Sequence, residues 1–68
     1  MDKYAERKNI GKLICQAREE KNISLEQLSE ITGLSSIHLR RIEEGRLNIG
    51  IDMLSQILNG LDVKITLI

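Results

Sequence analysis

The stretch GLSSIHLRRIEEGR, residues 33–46, places two adjacent arginines in a chain whose ten Lys and Arg balance ten Asp and Glu. A guanidinium is planar, always charged and able to donate two parallel hydrogen bonds, so Arg40 and Arg41 have the chemistry to read a ligand. Adjacent arginines are also, taken alone, the ordinary composition of a solvated helix face. Other chemistries are poorly supplied. No Ser, His and acid set, no nucleophile with its base and no glycine-rich phosphate loop can be assembled, so an enzyme is not expected. One Cys forms no internal disulfide, and one Cys with one His cannot complete a four-ligand zinc site. Neither a metal nor a cofactor is expected.

The elements that would carry the arginines are short helices joined by tight turns. Ile10, Leu13, Ile14 and Ala17 follow the i, i+3, i+4, i+7 spacing of a helix with one buried face, and Asn22 stands where a left-handed cap is wanted. Ser24 can cap a second helix, with Gln27 three residues on as the other half of a capping box, and Gly33 ends it. A third helix must begin near Ser35, since Leu39 and Ile42 have helical spacing and Gly45 marks the stop. Two short helices joined by a three- or four-residue turn containing Gly make a helix-turn-helix. Gly50 opens a fourth helix with Ile51, Leu54, Ile57, Leu58 and Leu61 as its apolar stripe. The period then changes: in DVKITLI, Val63, Ile65 and Leu67 alternate with Lys64 and Thr66, the pattern of a strand. A lone strand leaves its backbone groups unpaired, so it frays or pairs with a copy of itself.

A chain of 68 residues buries only about 60% of the surface its unfolded form exposes, and a partner subunit would add to its stability. No apolar run approaches the roughly 18 residues of a membrane span, and MDKYAERKN has no apolar signal core, so no membrane partner and a cytoplasmic location are expected. With no proline, repeat or low-complexity segment, residues 1–68 are expected to form one domain, with a dimerising strand at about 62–68.

From about Ile10 to Val63 the chain resembles the phage repressor and Cro-like (XRE-type) helix-turn-helix domains. In SLEQLSEITGLSSIHLRRIEEG, Leu28, Gly33, Leu34, Ser35, Leu39, Arg41, Ile42, Glu43 and Gly45 fall where that pattern expects their residue types, and IGKLICQAREEKN looks like its first helix. The fold implied is all-α, a four- to five-helix repressor-like domain with one short C-terminal strand pairing across a dimer. The function implied is sequence-specific DNA binding by a dimeric transcriptional repressor, with an inverted-repeat double-stranded operator as partner. The ending ILNGLDVKITLI is similar to a subset resembling persistence-type antitoxins, in which the last strand pairs across a dimer; that likeness adds a cognate toxin as a further partner.

On a wheel of about 100° per residue, Leu39, Ile42 and His38 fall on one side of the third helix, and Ile37, Arg40, Arg41 and Glu44 on the other. The resemblance makes the second side the one that meets the major groove. It implies base contacts from Ser36, Ile37 and Arg41, with Arg41 forking onto O6 and N7 of guanine and Ile37 suited to a thymine methyl. Backbone contacts are implied for Ser24, Ser35, Arg40, Arg46 and Asn48. The resemblance also pairs Arg18 with Glu43 inside the domain. His38 is expected to pack or cap at the edge of the core, and Cys15 to be a small apolar residue in or beside the first helix. Two positions depart from the family: Leu25 stands where relatives carry a phosphate-binding Gln, and Ile37 where many carry a polar residue. An alternative is that exposed Leu25 and Ile37 seed an apolar patch for a protein partner, with the fold used as an interaction module and no DNA bound. Charge is uneven along the chain, with six basic against four acidic residues in 1–24 and three against two in 35–49.

Overall fold

The computed structural model describes residues 4–63, which form four helices: α1 Ala5–Glu20, α2 Leu25–Thr32, α3 Ser36–Glu43 and α4 Ile51–Gly60. α2 starts because Ser24 is extended, its Oγ accepts from the Gln27 N–H at 3.0 Å, and Gln27 Oε1 accepts from the Ser24 N–H at 2.8 Å. This reciprocal box satisfies two donors that a helix start leaves orphaned. Ser35 starts α3 by accepting the His38 N–H on its Oγ at 3.0 Å, and extended Gly50 precedes α4.

Three of the helices end alike. A left-handed residue, Asn22 (φ 56°), Gly45 (φ 76°) or Asp62 (φ 57°), turns the chain. The next N–H then closes onto an earlier carbonyl: Ile23 onto Arg18 at 3.1 Å, Arg46 onto Arg41 at 2.9 Å and Val63 onto Leu58 at 2.8 Å. These closures use carbonyls that the last helical turn cannot pair. α2 stops at left-handed Gly33, whose N–H donates to Ser29 O at 2.8 Å.

Ile14 of α1, Leu28 of α2, Leu39 and Ile42 of α3, Ile57 of α4 and Leu61 beyond it form the buried core. α3 packs against α1 and α2, and α2 packs against α4 as well. The turn between α2 and α3 is fixed by polar side chains. Buried Thr32 donates its hydroxyl to Leu28 O at 2.8 Å and accepts the Leu34 N–H at 3.2 Å, while Ser29 Oγ donates to Leu34 O. Gln56 of α4 donates to Thr32 O, tying the fourth helix to the same turn.

The apolar stripes differ from their sequence reading at one position each. Leu13 is 64% exposed and Ile51 68% exposed, although the spacing predicts both on buried faces. In α1 the buried positions are Gly11 and Ile14, with Arg18 half-buried, a face rotated away from Leu13 because Gly11 lies directly on α3. Ile51 is the first residue of α4, ahead of the turn that meets the core. Of the expected strand 62–68, Asp62 belongs to the α4 turn and Val63 packs half-buried against the core; Ile65 and Leu67 lie outside the described residues. Among the described residues no helix is long and apolar enough to cross a membrane.

Candidate nucleic-acid interface

α3 divides its side chains cleanly. Leu39 and Ile42 enter the core, while Ile37 is 64% exposed and Arg40 and Arg41 are exposed. Ser36 with Arg40 and Ile37 with Arg41 are i, i+4 neighbours, so these four residues form one outward surface about two turns long. Both arginines lie in the last turn of α3, where a cation is favoured by the helix dipole. Among the described residues neither has an ion-pair partner.

The remaining expected contacts come from other elements. Ser24 and Ser35 are the N-caps of α2 and α3, so each hydroxyl oxygen already accepts a backbone N–H. Each keeps a hydroxyl proton to donate. Arg46 and Asn48 lie exposed in the loop between α3 and α4, and Arg46 Nε is 3.4 Å from Glu44 Oε1. That pair is open to solvent at both ends, so it draws little from Arg46's charge.

The Arg18 and Glu43 pair sits behind this surface. Arg18 Nε donates to Glu43 Oε2 at 2.7 Å and Nη2 to Oε1 at 3.1 Å, a bidentate fork with side chains only 15% and 9% exposed. Nη1 of the same guanidinium donates to Ile23 O at 2.9 Å. One arginine thus fastens α1 to the end of α3 and to the chain entering α2. The hydrogen bonds that Arg18 donates to Glu43 push its pKa further up, against the opposing effect of burial, so the cation persists at every working pH. Cys15, half-buried beside it, contacts Arg18 Nη2 at 3.8 Å and Glu19 Oε1 at 3.5 Å. Burial first, then hydrogen bonding to Glu43, raise its pKa and keep the thiol protonated. A protonated thiol is a poor nucleophile.

Two expectations fail at this surface. His38 is exposed, not packed at the core edge: it is about 40° from Ile42 but about 100° from Leu39, so it lies roughly 70° off the centre of the buried face, at its solvent margin. Leu25 is half-buried and packs against the core, because the first residue of α2 turns inward beside Ile23. The patch of two exposed aliphatics that motivated a protein-binding alternative is therefore reduced to Ile37. One positioning residue escaped the sequence reading. A Cβ on Gly11 would lie 2.6 Å from Ile42 O and closer still to Glu43 O, so α1 reaches α3 only because this position has no side chain. A glycine inside an otherwise good helix pattern was its signal.

A capped pair of short helices joined by a three-residue turn, with an arginine-bearing outer face on the second, defines a helix-turn-helix domain. A family model described as helix-turn-helix matches residues 15–68, and the chain belongs to that family, of the XRE and Cro/C1 type. It is accordingly a DNA-binding transcription regulator of that type, with double-stranded DNA as its ligand. No curated protein and no solved structure matches the chain significantly.

Proposed function

We propose that the chain is a dimeric, sequence-specific repressor that places α3 of each protomer in the major groove of an inverted-repeat operator. The observation that carries this reading is the outer face of α3, where Arg41 stands exposed, and without an ion pair among the described residues, one turn from Ile37. Ser36, Ile37 and Arg41 contact base edges. Ser24, Ser35, Arg40, Arg46 and Asn48 hold the sugar-phosphate backbone and set the register. Selection of binding sites from random duplex DNA tests it. Arg41→Ala is expected to cost about 1–3 kcal/mol on the selected site and to relax one base pair, while Arg40→Ala weakens all sequences alike and lowers the salt slope by about 1. Equal, sequence-independent losses in both variants would remove Arg41 from base readout.

Dimerisation is supported by an apolar recess between α1 and α4. Ile10, Leu13, Ile14, Leu54 and Leu58 line it, and Val63 leaves α4 beside it through its bond to Leu58 O. In this reading Val63, Ile65 and Leu67 of two copies pair antiparallel and bring their recesses together, which sets the two α3 helices about 34 Å apart. Removal of residues 63–68 is expected to give a monomer in light scattering at micromolar concentration, with operator affinity greatly reduced. The intact protein should prefer one half-site spacing, and indifference to spacing would end the paired-strand dimer. An antitoxin role, with a cognate toxin as second partner, rests on the likeness of the C-terminal segment, and a toxin gene adjacent to this one would support it.

A further inference from the structure

The first turn of α1 brings a cation to the α3–α4 loop that the sequence pattern does not assign to DNA. Arg7 lines a recess with Asn48 and Leu47 on one side, and on the other a second recess with Gly45 and Arg46. It therefore stands between the two loop residues proposed to hold the DNA backbone. Its place is enforced by packing: a Cβ on Gly45 would lie 2.7 Å from Lys8 Cγ and 2.9 Å from Lys8 Cα, so the loop lies directly against α1 at the neighbouring residue. Its guanidinium is steadied from below, 5.0 Å from the centroid of the Tyr4 ring. A cation over an aromatic face is held without losing its charge or its outward donors.

The acids nearby leave that charge available. Glu6 lines the Asn48 recess and Glu44 is engaged with Arg46, yet among the described residues no carboxylate forms an ion pair with Arg7. A cation in the first turn of a helix also opposes the helix dipole, so the site gains when an anion comes to it.

We propose that Arg7 is a DNA-backbone contact, donating to a phosphate next to the one held by Arg46 and Asn48 and extending the protein's footprint along that strand. The proposal rests on the DNA-binding reading above and adds α1 to the elements that touch the duplex. An acidic protein surface would match the same charge, but it would not match the flanking position of Arg7 between two loop residues of a DNA-binding motif.

The test is fluorescence anisotropy of the full chain with its selected operator and with an unrelated duplex, across a salt series. Arg7→Gln is expected to weaken both duplexes by the same factor, roughly 3- to 10-fold near about 0.1 M salt, and to lower the salt slope by about 1. Arg7→Lys should restore most of the slope, and Tyr4→Leu should weaken binding while leaving the slope unchanged. Circular dichroism and urea unfolding of each variant separate these effects from loss of fold. A wild-type chain that binds the operator while Arg7→Gln keeps its slope would overturn the phosphate contact and make Arg7 a solvated residue. A changed base preference in Arg7→Gln would also overturn it. A wild-type chain that binds neither duplex at low salt would instead end the DNA-binding reading itself.

Discussion

Glu43→Ala is expected to destabilise the domain by roughly 3–5 kcal/mol, because it strands the Arg18 cation in a site that water hardly reaches. A small domain has about 5–15 kcal/mol in total, so much of the population should unfold near room temperature. The loss exceeds that of a surface pair for two reasons. Both bonds of the fork go together, and the guanidinium that also holds Ile23 O loses the group that orients it. Urea unfolding followed by far-UV circular dichroism measures the change, and a loss below about 1 kcal/mol would mean that the pair behaves as an exposed one. The double variant Arg18→Met with Glu43→Leu should recover most of the stability, since a buried pair is often matched by apolar groups of similar size. The single and double changes therefore should not add.

Gly11→Ala is expected to be nearly as damaging, at about 3 kcal/mol, even though Ala is the better helix former by about 1 kcal/mol. The obstacle is backbone. The carbonyls of Ile42 and Glu43 face the missing Cβ, and neither can rotate aside as a side chain would. α1 must withdraw from α3, which also loosens the Arg18 fork. Gly60→Ala is the informative comparison. Its nearest Cβ contacts would be side-chain atoms, Thr32 Cγ2 at 2.8 Å, Ile31 Cγ2 at 3.2 Å and Leu28 Cδ1 at 3.8 Å; Thr32 is held by two hydrogen bonds, so Gly60→Ala should also cost stability, but less than a clash with backbone. Thermal melts of the two variants side by side decide the matter; a negligible loss in Gly11→Ala would show that α1 and α3 can separate without penalty, and a loss in Gly60→Ala as large as that in Gly11→Ala would show that backbone contact is no worse than side-chain contact.

Helix starts and stops were legible in the sequence because they are local chemistry. Ser24 with Gln27, Ser35, Asn22, Gly33 and Gly45 each act through bonds or dihedral angles within a few residues of themselves. The division of α3 into core and outer residues was largely legible for the same reason, one helical period read over eight residues. What escaped depends on which neighbour a helix meets. Leu13 looks buried by spacing, yet α1 turns its Gly11 side to α3; Leu25 looks exposed by analogy with a polar relative, yet it packs inward. The Arg18 and Glu43 fork joins residues 25 positions apart and came from the family resemblance, not from any pattern within the chain. Arg7 was passed over because nothing in its own segment says that Gly45 will lay the α3–α4 loop against the first turn of α1.

The eight residues of α3 serve two separate purposes with no side chain in common: Leu39 and Ile42 belong to the interior, and Ile37, Arg40 and Arg41 belong wholly to the outside. Changes on the outer set leave the interior atoms where they are; under the base readout proposed above, the address on the DNA can therefore drift through mutation while the domain goes on folding. Descendants of one such chain can come to govern different genes without passing through an unfolded ancestor, and an engineer can transplant the outer residues from one member to another with the same freedom.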